Sequence, residues 1–324
     1  MKGFDQKWKD FPDFILGITK EIWEHRNIAT LDHYYSKNIP VRSPGSLIIG
    51  NKDVIGATMA TLAEFPDRKL LGEDVIWSGN PEIGMLSSHR IYTTATHLGD
   101  GVYGKATGKQ LKYRVIADCH AKNNRIDDEW LVRDQGAIVL QLGLKPKNYA
   151  RDLIKREGGY EHCVVPFNPK IDVTGPYKGK GNNNEWGEKY ANILQNIMGS
   201  DFSIVSKSYD RACQLEYPNG KNGTSRRAVD EFWMSLRSSF PSAKFSIEHQ
   251  IGREDPLMPP RAAIRFSLYG KHDGWGRFGK PTGATVYVMG AAHVEFGPWG
   301  LRREFVLFDE DDFKSIISLE ILDR

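Results

Sequence analysis

The chain has 324 residues, a net charge of +3, 40% hydrophobic and 26% charged residues, a length that suggests two domains, each able to bury its own core. The balanced charge, without a dense basic run, gives no electrostatic support for a nucleic-acid partner, and no apolar stretch approaches a membrane span. Met1 to Asp10 is polar and does not resemble a signal peptide, and Cys119, Cys163 and Cys213 are scattered, odd in number and without CxxC spacing, which argues against a disulfide framework or a cysteine zinc site. The expectation is a cytoplasmic protein with no membrane or nucleic-acid partner.

In chain order, Phe14 to Tyr35 carries apolar residues at helical spacing (Phe14, Ile15, Ile18, Ile22, Trp23), which predicts an amphipathic helix. Asn51 to Phe65 reads as a second helix, with Val54, Ile55, Met59, Leu62 and Phe65 on one side and Pro66 ending it. The period then changes. Leu70 to Trp77, Ser87 to Thr96, Lys109 to His120 and Glu129 to Leu142, rich in Val, Ile, Tyr and Thr, read as strands. Tyr149 to Lys155 predicts a short helix, and Gly175 to Trp186, rich in Gly, Pro and Asn, a linker or surface loop.

The same pattern then recurs. A shift of 175 residues takes Phe65-Pro66 to Phe240-Pro241, Tyr34 to Tyr209, Gly45 to Gly220, Glu73 to Glu248, Arg90 to Arg265, Glu129 to Glu304 and Asp134 to Asp309. HLGDGVYGKATG (His97 to Gly108) aligns with HDGWGRFGKPTG (His272 to Gly283) at seven of twelve positions, where ordinary usage gives about one. Coincidence does not account for this, and the chain reads as a tandem duplication. The expected domains are 1–144 and 186–324, joined by a linker with a short helix over 145–185. Each is α+β, with helices first and then a run of antiparallel strands.

An amphipathic helix, a helix ending in Phe-Pro, the Thr96 to Gly108 hairpin and a final Glu129-Trp130…Asp134 element occur in this order in the first half. They recur with substitutions such as Lys271 for Thr96 and Phe305 for Trp130. This arrangement resembles the SnoaL-like (polyketide cyclase-like) branch of the NTF2-like superfamily, duplicated. The resemblance implies two cone-shaped domains, each a curved antiparallel sheet wrapped around N-terminal helices and enclosing a mostly apolar pocket. It also implies domains that pair sheet to sheet, so that the chain is an internal pseudo-dimer, with a homodimer also compatible.

In SnoaL-type cyclases a pocket aspartate acts as general acid/base beside a histidine fourteen positions earlier. The resemblance therefore assigns these roles to Asp134 and His120. Strand alternation puts Asp118 on the face of His120, and a three-residue turn around Asn123-Asn124 would bring Asp134 to that face, whereas a two-residue turn would send it to the other. The shift places His293, Glu295 and Asp309 at the matching positions of copy two. Tyr35, Arg90 and Trp130 are the expected substrate-binding residues. Asp134 as a loop hydrogen-bond acceptor, His120 as a strand-end histidine, Arg90 as an ion-pair partner and Tyr35 as packing are the competing structural roles. The Gly-rich hairpin is not a dinucleotide motif, because it does not join a strand to a helix, and the His/Asp/Glu spacings match no standard metal motif. Neither a cofactor nor a metal is expected.

A carboxylate desolvated in an apolar cone has its pKa raised toward neutrality, where it can exchange protons, and a neighbouring His can share the proton or stabilise a developing enolate. The expected activity is cofactor-independent acid/base chemistry of isomerase, cyclase or lyase type on a small carbonyl or hydroxy metabolite. The alternatives are a hydrolase that activates water and a non-catalytic small-ligand binder.

Overall fold

The computed structural model of the protein describes residues 1–310; the end of the expected second domain, 311–324, lies outside the described residues. The described residues form two compact units: Met1–Tyr149 with Val165–Gly179, and Ala150–Val164 with Lys180 to Glu310.

The first unit opens with α1 (Phe11–Thr19), started by the Asp10 side chain accepting from the Asp13 amide at 2.8 Å and by a proline in the first turn. The helix runs into a π turn over Lys20–Glu24, and Arg26, at φ +62°, ends it. Only a 3₁₀ turn and the single-turn α2 (Leu31–Tyr34) follow. The predicted Phe14–Tyr35 helix is thus broken, because a residue in the left-handed region cannot continue a right-handed helix. Next come a four-residue hairpin of β1 (Pro40–Ser43) and β2 (Ser46–Ile49), then α3 (Asn51–Glu64). Four long elements complete the sheet: β3 (Lys69–Asn80), β4 (Gly84–Thr96), β5 (Gln110–Lys122) and β6 (Arg125–Arg133). They are followed by α4 (Gln135–Gln141) and α5 (Pro146–Arg156). The last predicted strand therefore stops at Arg133 instead of reaching Leu142.

The strand order is β2-β1-β6-β5-β4-β3, and β1 runs parallel to β6. The sheet is mixed rather than antiparallel throughout, because the short β1–β2 hairpin docks on its edge. Phe11, Phe14, Ile15 and Ile18 of α1 form one core with Met85, Ala117, Cys119 and Ala121 of the sheet. Odd-numbered residues of β4 and β5 therefore face the helices, and even-numbered ones face outward.

The second unit repeats the plan with α6 (Glu185–Met198), α7 (Ser203–Ser208), β7 (Tyr209–Tyr217), β8 (Lys221–Thr224), α8 (Ser225–Ser239), β9 (Lys244–Arg253), β10 (Arg261–Lys271), β11 (Thr285–Gly297) and β12 (Gly300–Phe308). The order is β8-β7-β12-β11-β10-β9, again with one parallel pair, β7 with β12. Both sheets are open, and the architecture is α+β. Register sharpens the repeat. Val41 sits opposite Glu129 and Leu215 opposite Glu304, so the offset is 174 before the hairpin and 175 after it. The hairpin loop is Pro44-Gly45 in one copy and Pro218-Asn219-Gly220 in the other. Tyr209 is consequently the counterpart of Tyr35, each bridging the start of the last strand at Leu301 and Ile126, and not of Tyr34.

The β5–β6 turn sets the rest of the geometry. It has two residues, Asn123 and Asn124, both left-handed (φ +51° and +64°), between paired Lys122 and Arg125, the pattern of a type I′ hairpin. A bulge at Asp127 then shifts the register, so that Asp118 faces Trp130 and Cys119 faces Glu129. Asn124 also ties the turn down: its Oδ1 accepts from the Asp5 amide at 3.1 Å, and its Nδ2 lies 3.1 Å from His33 Nε2. Asn124→Ala should lower unfolding stability by about 2 kcal/mol, from a β-carbon in the left-handed region and the lost hydrogen bonds, as read from chemical denaturation.

Candidate active site

The register divides the expected site residues between the two faces of the first sheet. Asp118, His120 and Trp130 share one face with Arg90, and it is the outer one. His120 Nδ1 lies 2.6 Å from Asp127 Oδ1, and its ring packs on Tyr177 of segment 165–179, centroids 4.8 Å apart. Tyr177 also meets Trp130 edge-on at 6.4 Å and donates its amide to Asp128 Oδ2 at 3.0 Å. Trp130 carries the Arg42 guanidinium over its ring at 4.5 Å, and Arg42 pairs with Asp128 and Asp172. Arg90 Nε bonds Glu73 Oε2 at 2.9 Å. Asp134 lies beyond the end of β6, where it caps α4: its Oδ1 accepts from the Ala137 amide at 3.1 Å. The turn is two-residue and the bulge restores the shared parity, but that parity faces away from the helices.

Copy two behaves alike. His293 and Glu295 lie on the outer face of β11, the latter 3.6 Å from Arg303 Nη1, and Asp309 follows the last residue of β12. Of the expected residues, only Tyr35 reaches the helix-facing side.

That side carries a different set. Across the first sheet runs a row Trp77–Ser87–Cys119–Glu129–Val41 on β3, β4, β5, β6 and β1. Beside it lies Val75–His89–Ala117–Leu131. Glu129 is 7% exposed, and its Oε2 has no hydrogen-bond partner in the protein. Burial pushes its pKa up to about 7, opposed by the Tyr35 hydroxyl and the Cys119 thiol beside it. Burial also pushes the Tyr35 hydroxyl and the Cys119 thiol well up, and the negative Glu129 adds to both shifts. Both therefore keep their protons. Burial lowers His89 to about 4, so it is neutral at physiological pH, its Nδ1 3.2 Å from Ser87 Oγ. Trp23, Trp77 and Leu131 on the same side are only partly buried.

The corresponding row in the second sheet is Gly252–Ala262–Val294–Glu304–Leu215. Ser87, His89 and Cys119 are replaced by Ala262, Ile264 and Val294, all in the apolar core. The glutamate remains, but it is fully enclosed. Its Oε1 accepts from Tyr190 at 2.8 Å and Tyr209 at 2.6 Å, and its Oε2 from Tyr217 at 2.8 Å and Trp233 at 3.4 Å. In copy one the positions of Tyr217 and Trp233 are Ser43 and Thr58. Side chains that saturate Glu304 are thus replaced by small ones near Glu129, and one carboxylate oxygen is left unsatisfied. The signal was available in the sequence, since Glu129 and Glu304 are among the residues retained at the repeat offset. It lay five residues before Asp134, the position chosen for its spacing, and next to Trp130.

Residues 7–142 match the family model of SnoaL-like polyketide cyclases. The first unit, which holds the matched residues, is a SnoaL-like domain, and the second repeats its strand order and register. Similar solved structures include IdmH, a candidate polyketide cyclase from Streptomyces antibioticus, at 20% identity over 41% of this chain and 98% of that one, TM-score 0.36. A candidate polyketide cyclase from Acidithiobacillus ferrooxidans is 21% identical over 40% and 92%, TM-score 0.35. TsrD from Streptomyces laurentii is 14% identical over 42% and 100%, TM-score 0.36. No curated protein matches the chain. No helix among the described residues is long and apolar enough to cross a membrane.

The raised Glu129 pKa links stability to pH. The folded state holds this proton more tightly than the unfolded chain, so its contribution is complete below about 4.5 and is lost as pH rises through about 7. That loss amounts to about 3 kcal/mol. Glu129→Gln should be more stable than the parent by about this much at pH 8 and should lack this slope, as read from denaturation at several pH values. Glu304→Ala should instead cost about 3 kcal/mol or more, because it orphans buried hydroxyls and opens a cavity.

Proposed function

We propose that the first domain is a cofactor-independent acid/base enzyme of isomerase, cyclase or lyase type. It would act on a small carbonyl or hydroxy metabolite with Glu129, in place of Asp134, moving the proton. The observation that carries this reading is the unsatisfied Glu129 oxygen on a buried polar face, on a group poised near neutrality. A carboxylate with a pKa of about 7 is half ionised at physiological pH. It can take a proton from carbon next to a carbonyl and return it elsewhere with little mismatch in affinity. The Tyr35 hydroxyl, held protonated beside it, supplies a donor for the oxygen on which enolate charge develops, and neutral His89 offers another without adding a competing charge. A water-activating hydrolase would use the same carboxylate, but Tyr35 beside it and the neutral His89 suit enolate stabilisation better.

The second domain, on this reading, is a structural copy. Glu304 accepts four hydrogen bonds and Ile264, Val294 and Ala262 line the positions that are polar in copy one, so its carboxylate has no lone pair turned to a substrate. On this reading a small molecule is taken by copy one alone.

Glu129→Gln should reduce kcat about 10²–10⁴-fold, while Asp134→Asn, at the helix cap and beyond the end of β6, should keep kcat within about threefold and lose about 1 kcal/mol of stability. With Glu129 as the base, kcat/KM should rise with pH and level off above about 7. Steady-state kinetics on a panel of enolisable ketones tests both; full activity in Glu129→Gln would remove this residue from the mechanism.

A further inference from the structure

Further along the same helix-facing side, Thr93 and Tyr113 face each other across β4 and β5, and Arg133 lies opposite Val115 on β6. Arg68, just after the Phe65-Pro66 stop, is 7% exposed and has Tyr113 as its hydrogen-bonding neighbour. The Nε atoms of Arg68 and Arg133 and the Thr93 hydroxyl are buried without hydrogen-bond partners in the protein. Among the described residues no carboxylate forms an ion pair with either arginine. Burial lowers the Arg68 pKa, and nearby Arg133 and Arg26 lower it further. Arg26 is exposed at the edge of this cluster, bonded only to the Pro66 carbonyl.

Copy two shows what these positions become without such a requirement. Arg68, Thr93, Tyr113 and Arg133 correspond to Ala243, Leu268, Val288 and Phe308, all in the apolar core. The fold does not need cations there. Two guanidiniums brought together, Arg68 buried and Arg133 half-buried with its Nε enclosed, with no ion-pairing acid among the described residues, are costly unless an anion completes the site.

We propose that Arg68 and Arg133, with Tyr113 and Thr93, form a subsite for an organic carboxylate that anchors the far end of the substrate. This deepens the acid/base reading and rests on it for the position of the reacting carbon. Guanidiniums match a planar carboxylate with paired hydrogen bonds. Glu129 and Arg133 are four residues apart on one strand and one face, on the order of 13 Å, with Leu131 and His89 along the way. The two poles describe an elongated, largely apolar acid with an enolisable carbonyl at its other end. Binding energy from the carboxylate would position that carbonyl against Glu129.

The test uses the full chain and two probes, nonanoate and nonanol, with binding followed by calorimetry. Nonanoate should bind the parent at least about tenfold more tightly than nonanol, and this preference should vanish in Arg68→Met and Arg133→Met. It should persist in Glu129→Gln, so a failed proton-transfer reading and a failed anion subsite give different results. Without ligand, Arg68→Met should unfold at the same or a higher temperature than the parent, because an unpaired buried charge is gone. Equal affinity for nonanoate and nonanol in the parent, or unchanged nonanoate affinity in a folded Arg68→Met, would overturn the proposal. Should the methionine variants not fold, the probe comparison in the parent and in Glu129→Gln decides alone.

Discussion

The pleat of β5 and β6 governs what the first domain can present to a ligand. Side chains along a strand alternate between faces, so a register change of one residue exchanges everything that points inward for everything that points outward. The Asn123-Asn124 turn and the bulge at Asp127 together select one of these outcomes. Cys119, Glu129 and Leu131 go to the helices, while Asp118, His120 and Trp130 go to the outer face. There His120 and Trp130 meet Tyr177 beside the Arg42–Asp128 ion pair. The distribution of chemistry in this domain follows from that choice.

The retained glutamate is a controlled comparison within one chain. Glu129 and Glu304 occupy the same register position and both are buried, yet they have opposite surroundings. Around Glu304, three tyrosine hydroxyls and a tryptophan N–H replace the hydration that burial removes. Such a carboxylate is a bonding hub of the core. Around Glu129, Ser43 and Thr58 are too short to replace Tyr217 and Trp233, and the carboxylate is left with an unmet acceptor. The same side chain is structural where its lone pairs are used internally and chemically available where they are not.

Much of the fold was legible in the sequence. The 175-residue repeat, the Phe-Pro helix stop and the β-branched runs depend on local chemistry and period, and they led to the tandem α+β arrangement. What escaped depends on interactions that period does not encode. The β1–β2 hairpin is four residues per strand, too short to show alternation, and its one-residue difference in loop length hid the equivalence of Tyr35 with Tyr209. Asp134 and His120 had the expected spacing, but spacing along the chain says nothing about which face of a sheet is covered by helices. Glu129 was visible as a repeated residue, but repetition does not say whether a carboxylate's lone pairs are used inside the fold. Arg68 carried no signal until register placed it opposite an alanine in the other copy's core.

The interior of copy one is, on these terms, a poor way to stabilise a domain. Glu129, Arg68 and Thr93 are buried, Arg133 half-buried with its Nε enclosed, and each has a donor or acceptor unmet, worth about 1–3 kcal/mol of desolvation without return. Copy two shows that the same fold accepts Ala, Leu, Val and Phe at the cationic end. A duplicated scaffold that keeps opposite charges at two ends of one buried face, against the stability available by replacing them, keeps them for something that spans both. A ligand with complementary ends relieves both penalties at once, so its affinity would come from neutralising groups already fixed in place more than from new apolar contact. Selectivity follows from the same arithmetic. A molecule lacking the anionic end leaves the guanidiniums unpaired, and one with the wrong length satisfies one pole only, so rejection arises from unmet polar groups, which discriminate more sharply than a missing methylene does.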